Sequence, residues 1–443
     1  MIKREEGFTL VELMITMLVF ALAMVAASNI FSALLNQFKQ QSKIAETNIE
    51  GLIGLDMMRI DVQQAGFGIP WNLETDGDND GDDNWSTLGA NYNERVTNAG
   101  GNADPLDAIY YNDGTTASSI PAPAQQRAPR GILAENLPQA GAGLMLMGTG
   151  ANTWRSDYLV VKSTSISIGD AAQKWTHITN NGATNLDPRF WNDPNEDLDD
   201  NDDRVIVERP ALGPSGSQQR VLITDTSVAP PTFSVLFEDD KDDFDTAFLP
   251  ALDVFETHLI YGVSPKPPTN PAEPLRAPFN RADFYVSDGG TVPSQCAPNT
   301  GILYKAVMNH GDGAATEYPL LDCVADMQVV FITETSTPPD DIHEWNNADF
   351  PFTSVLTADQ IRAQIRGVVV YILAHEGQMD RSFTFTNFSA GCTGVANCMR
   401  VGGFDNLGNL MGREFDLSWI DAADFDNYRW KVYTIAVQLI NLR

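Results

Sequence analysis

Gly7-Phe8-Thr9-Leu10-Val11-Glu12-Leu13 opens an apolar run that continues to Phe38, and its reading decides the fold of the whole chain. No residue between Leu13 and Phe38 carries a charge. At about 1.5 Å of rise per residue, a helix of that length crosses a hydrocarbon core of about 30 Å. A secretory signal peptide is cut after its apolar core and loses it. Here the favoured cleavage candidate, Gly7, precedes the run, so the product keeps its helix.

Glu12 is the acid inside this segment. A carboxylate at the bilayer centre costs roughly 2.5 to 3.5 kcal/mol on insertion scales, so Glu12 needs a partner. Cleavage after Gly7 supplies one, because a free amine at Phe8 is largely cationic at neutral pH. The pair forms either within one helix, four residues apart, or between neighbouring helices. At headgroup depth Glu12 would merely favour the positive end of its own helix.

Residues Gly7 to Glu12 resemble the prepilin signature of type IV pilins and type II secretion pseudopilins. The resemblance implies that prepilin peptidase cuts after Gly7 and methylates Phe8, leaving residues 1–7 as a leader. It implies also that Glu12 and the Phe8 amine dock the subunit during assembly. A rival reading takes Val25-Ala26-Ala27 before Ser28 as an ordinary signal peptidase site, which would release a soluble protein. Against it, Lys3-Arg4-Glu5-Glu6 forms a net-neutral n-region.

The 443 residues supply core for one large or two ordinary domains. Lys plus Arg number 28 against 59 Asp plus Glu, a formal charge of −31 that argues against nucleic acid as a partner. Cys296, Cys323, Cys392 and Cys398 allow three pairings and show no metal-ligand spacing. In an oxidising space the expected bonds are Cys296 with Cys323 and Cys392 with Cys398.

From Lys39 the pattern turns amphipathic without a helix breaker. Ile49, Ile53, Met57 and Ile60 recur at spacings of four and three. One helix is expected over residues 8–66, its first half in lipid and its second packed against a head formed by residues 67–443. Gly51 and Gly54 each cost about 1 kcal/mol relative to Ala and mark a place for a bend. Arg59 to Gly68, RIDVQQAGFG, resembles the stretch after the anchor helix in PilW-type minor pilins.

Asp76, Asp78, Asp80 and Asp82, with Gly81 at the sixth position, reproduce the first half of an EF-hand-type loop. Calcium there and a solvated acidic turn are the two readings, and Thr87 stands where a bidentate Glu would complete the loop. The runs 197–203 and 238–245 lack that glycine register; Asp197, Asp199 and Asn201 are the weaker ligand candidates.

Short apolar runs between Gly, Pro, Asn and Asp then replace the helical period. Strands are expected at 107–111, 158–162, 205–208, 221–224, 233–237, 255–261, 284–286, 302–307, 327–333, 368–374, 383–388 and 431–439. So many strands predict antiparallel sheet, hence an α+β chain. Stretches 115–150 and 265–278 read as loops, the second dividing two lobes. LLDCVADMQVVF (320–331), QIRGVVVYILAH (364–375) and WKVYTIAVQLINLR (430–443) look like sheet segments of PilW-type heads, and the resemblance as a whole implies a type IV pilin-like fold.

His177, His258, His310, His343 and His375 stand singly, and no nucleophile elbow or phosphate loop appears, so neither an enzyme nor a required cofactor is expected. Taken as one globule, residues 67–443 have a radius of gyration of about 21 Å, far wider than a helix. Such a head is hard to repeat at every step of a thin filament, which points to a minor subunit. The resemblance implies a minor pilin held in the bacterial inner membrane with its head in the periplasm, then placed at the pilus tip. Its implied partners are other minor pilins, the major pilin, prepilin peptidase and a tip adhesin. A J-type minor pseudopilin of a type II secretion system, and a soluble calcium-dependent binding protein released after Ala27, are the alternatives.

Overall fold

The computed structural model describes residues 9–73, 92–94, 111–113, 128–136, 147–149, 152–154, 156–212, 218–229, 231–252, 255–267, 274–288, 291–334, 342–346, 356–390, 392, 396–404 and 410–442. Helix α1, Leu10–Gln63, is continuous over 54 residues. After it come β1 (Asn72–Leu73), β2 (Ile132–Asn136), the hairpin of β3 (Met147–Thr149) and β4 (Asn152–Trp154), and β5 (Asp157–Ser163). Then follow β6 (Trp175–Asn181), β7 (Asp203–Leu212), β8 (Gln218–Leu222), β9 (Val235–Leu236) and β10 (Phe255–Pro265). The last third holds β11 (Asn280–Ser287), β12 (Gly301–Met308), β13 (Ala315–Glu334), β14 (Ile342–Asn346), the short helix α2 (Ala358–Gln364), β15 (Ile365–Glu376), β16 (Cys398–Phe404), β17 (Leu410–Asp416) and β18 (Arg429–Gln438).

The larger sheet runs β18-β15-β13-β12-β11-β5-β2, with β14 beside β13; the smaller runs β1-β8-β7-β10-β6, with β9 beside β7. β16 and β17 make a separate hairpin. Among the described residues only β1 with β8 is a parallel pair. A long apolar N-terminal helix followed by a mostly antiparallel β head is the α+β arrangement the sequence predicts.

The smaller sheet is largely an insertion. β5 and β11 are hydrogen-bonded neighbours in the larger sheet, and strands β6 to β10 lie between them in sequence. The stretch 265–278 is therefore one of two crossovers, the other following β5. Asn280 joins them: its Nδ2 donates to Thr164 O at 2.7 Å and to Val263 O at 2.8 Å.

Apolar residues of β5, β11, β12, β13 and β15 form the main core with Leu55, Met58 and Val62 of α1. Inside it sits an ionic network with three cations, Arg130, Lys162 and Arg281, and three anions, Glu94, Asp113 and Asp283. Lys162 Nζ lies 2.9 Å from Glu94 Oε2 and 2.6 Å from Asp113 Oδ2. Arg281 reaches Glu94 Oε2 at 3.2 Å and holds Asp283 through Nε and Nη2 at 2.7 and 2.9 Å. Burial alone would raise Asp113, but Arg130 and Lys162 hold it below the usual carboxylate range. Charges taken out of water need such pairing, and here the signs balance. By contrast Glu208 on β7 is fully buried, and burial pushes it up to about 7 against the opposing pull of Arg220.

Several strands form where the sequence reading expects none. β2 and β3 lie within the stretch 115–150 read as loop. β6, Trp-Thr-His-Ile-Thr-Asn-Asn, is poor in apolar residues, yet Thr176, Ile178 and Asn180 alternate inward. In β16 and β17 the glycines Gly402 and Gly412 face each other, and a Cβ on Gly402 would meet Gly412 Cα at 3.0 Å. Those glycines permit a close pair and do not mark a break. The expected strand at 383–388 is not one: Phe383 N–H donates to Asp380 O in a turn and Phe385 N–H to Asp426 O of a distant loop, so these take the bonds a ladder would need. Residues 107–110 lie outside the described residues.

Candidate functional site

At the start of α1, Thr9 caps the helix and Glu12 answers it. Glu12 N–H donates to Thr9 Oγ1 at 3.2 Å, while Thr9 N–H and Oγ1–H donate to Glu12 Oε2 at 2.9 Å each. This reciprocal pair is a capping box and satisfies two of the donors a helix start leaves open. The Glu12 carboxylate is thus held at the helix start, on Thr9. Gly7 and Phe8 themselves lie outside the described residues.

Leu10–Ala45 is long and apolar enough to cross a membrane, and its large side chains are exposed, from Leu10 to Phe38. The second half has two faces. One buries Gly51, Gly54, Leu55, Met58 and Val62 against the head, and Ala65, just past the helix end, is buried too. The opposite one presents Ile49, Leu52, Ile53, Met57 and Ile60, with Leu52 71% and Ile53 59% exposed. At 100° per residue the stripe 49-53-60 points away from the head. The regular apolar stripe in the sequence is therefore the free face, and the docked face is the one with glycines.

The helix is continuous through both glycines. They are contact points: a Cβ on Gly51 would lie 2.8 Å from Leu321 Cδ1, and one on Gly54 would strike the Leu320 carbonyl oxygen. At the next turn Asp61 Oδ2 meets Lys305 Nζ at 2.7 Å; burial raises the Asp61 carboxyl and Lys305 draws it back. The helix end is clasped too. Gly66 N–H donates to Lys162 O at 3.0 Å, Arg220 Nη1 donates to Gly66 O at 3.1 Å, and Asn441 Nδ2 donates to Gln63 O at 3.1 Å. Gly66 and Gly68 take φ of 84° and 60°, as a chain turning out of a helix requires.

Cys296 joins Cys323 and Cys392 joins Cys398, the expected pairs. Among the described residues, the groups compact enough to hold a metal are Cys296 with Cys323 and His375, and Cys392 with Cys398 and Glu414; the disulfides already take up the sulfurs. Asp76, Asp78, Asp80 and Asp82 lie outside the described residues. Asp197, Asp199 and Asn201 are each held by a protein donor: Asp197 Oδ1 accepts from Trp191 N–H, Asp199 Oδ2 from Lys174, and Asn201 O from Lys266. His310 and His375 are buried, and burial pushes both down to about 3, so they sit neutral in the core.

The signal for the docked face was present as small residues at 51, 54 and 65, a pattern that brings two backbones together. Residues 2–28 match the prokaryotic N-terminal methylation motif, which spans the leader and the first part of α1. That motif supports a protein of the type IV pilin or pseudopilin kind, processed by prepilin peptidase, assembled with other pilins and anchored in the inner membrane beforehand. No curated protein and no solved structure matches the chain.

Proposed function

We propose, taking the methylation motif as premise, that this chain is a minor pilin of the type IV pilus that acts in a tip or priming complex, as its likeness to PilW-type subunits implies. The observation that carries the reading is the two-sided second half of α1. A helix fixed to its head by glycine contacts, and still offering an apolar stripe in line with its lipid-facing half, is built to enter a bundle of like helices.

In this reading prepilin peptidase removes residues 1–7, and the Phe8 amine becomes the counter-charge for Glu12. In the membrane, Thr9 shields Glu12 through the capping box. In the assembly, Glu12 turns to the amine of a neighbour, because in low dielectric an opposite full charge holds a carboxylate more strongly than uncharged donors do. The wide head restricts the subunit to the tip or to sparse positions. Its partners are then other minor pilins and the major pilin.

The test is to deplete the gene product and count surface filaments, with secreted enzymes assayed in parallel. Loss of filaments with secretion intact supports the pilus reading. Normal filaments with lost secretion would move the chain to a type II secretion pseudopilus. N-terminal sequencing of the mature protein is expected to begin at Phe8; a start at Ser28 would sink both.

A further inference from the structure

We propose that the cleft between the two lobes binds a small hydroxylated carboxylate of the size of a sugar acid. The cavity measures about 300 Å³, within the range of small-molecule sites, and lies where the crossovers bring both sheets together. The smaller lobe supplies Arg204 at the start of β7, Ser264 near the end of β10, and Lys266 just beyond it; the larger lobe supplies Asn309, Thr316 and Tyr318.

Charge makes the case. The chain has 59 acids against 28 bases, yet no lining residue is an acid and two are cations. Arg204 is buried, and its Nη2 donates to Ser264 Oγ at 3.1 Å while Nη1 donates to Pro274 O at 3.4 Å. A guanidinium fixed in this way keeps its positive charge at the cavity wall, where it attracts a carboxylate. Lys266 sits at the rim with Nζ donating to Asn201 O and 4.0 Å from Asp202 Oδ1. Hydroxyls and an amide on the far wall match the donors and acceptors of sugar hydroxyls, and Pro267 with Met308 gives apolar surface for ring C–H groups.

The floor is rigid. His310 Nδ1 accepts from Arg276 N–H at 3.2 Å, which leaves its Nε2–H to donate to Asn280 Oδ1 at 3.2 Å. The same Asn280 spans both crossovers, so a ligand resting there touches groups of both lobes. Burial first, then Arg204 and Arg276, keeps His310 uncharged across the physiological range.

Full-length protein in detergent is titrated with galacturonate and with galactose, its neutral counterpart, by calorimetry and thermal unfolding. Galacturonate is expected to bind and raise the melting temperature, with galactose at least about tenfold weaker. Lys266→Gln, at a partly exposed side chain, is expected to lose about tenfold in galacturonate affinity with its ligand-free melting temperature close to that of the wild type. Thr316→Val on the opposite wall should weaken binding without touching either cation. No binding at about 10 mM galacturonate, equal affinity for the two sugars, or unaltered affinity in both variants overturns the proposal.

Discussion

Gly54 of the long helix lies so close to Leu320 of β13 that a Cβ there would run into the Leu320 backbone. Three residues earlier Gly51 faces side-chain ends, with Leu321 Cδ1 2.8 Å and Tyr433 Oη 3.9 Å from where a Cβ would stand. The two glycines should respond differently. Gly51→Ala gains about 1 kcal/mol of helix propensity, and Leu321 can rotate aside, so its stability should be near that of the wild type. Gly54→Ala meets rigid backbone, and overpacking of this kind costs about 1–3 kcal/mol. Thermal unfolding of the two variants side by side checks this; equal melting temperatures would remove the glycine joint.

Glu12→Ala should leave membrane insertion intact and stop incorporation into filaments. The side chain it removes is exposed and bonded only within its own helix start, so the fold should not suffer beyond the lost cap, about 1 kcal/mol or less. Immunoblots of membrane and sheared-filament fractions report the outcome. Wild-type levels in filaments would refute the docking role.

Glu208 gives the protein a pH dependence of known sign. Its folded pKa, about 7, lies above the ordinary 4.5, so its contribution is fully present below the ordinary value and is lost as pH rises through about 7. Glu208→Gln should therefore flatten stability between these limits and exceed the wild type at pH 8, by up to about 3 kcal/mol. Urea midpoints at pH 5 and pH 8 decide it. A variant no more stable than wild type at the higher pH contradicts the buried, unpaired carboxyl.

Lys162→Met takes from Glu94 and Asp113 their shared cation and leaves two buried carboxylates with one arginine each, Arg281 and Arg130. Breaking a buried pair from one side costs about 3–5 kcal/mol, enough to unfold many domains. Arg59→Ala removes only an exposed pair with Asp56 and should shift stability by less than about 0.5 kcal/mol. Denaturation curves for both variants test whether position, and not charge count, sets the cost.

The two disulfides close loops of unequal length, 27 and 6 residues apart in sequence. In the chain-entropy account the first contributes about 3.5 kcal/mol and the second about 2 kcal/mol. Double alanine replacement of Cys296 and Cys323 should then lower the midpoint more than replacement of Cys392 and Cys398.

The anchor was legible because length and lack of charge are local properties: the uncharged run to Phe38 and the glycines at 66 and 68 bracket α1 closely. The cysteine pairs were legible for the same reason. The docked face was not. Periodicity singled out Ile49, Ile53, Met57 and Ile60, and the hydrophobic pattern says nothing about whether a stripe meets the same chain or another. Nor could spacing show that β5 and β11 are neighbours across more than a hundred residues, since the insertion between them has its own apolar alternation. Strands rich in Thr, His and Asn, such as β6, were lost because their inward residues are held by hydrogen bonds as much as by burial.

Contact between shaft and head extends along α1 from Gln40, beside Asp380, and Ile44, beside Gly377, to Val62, roughly 33 Å of rod by helix rise. Tension applied to such a filament would reach the head through many contacts strained together, and no single tether would carry the load. Detachment would then require shearing a whole interface at once, so the part of the protein that meets the outside world stays attached under pulls that would stretch a flexible connector.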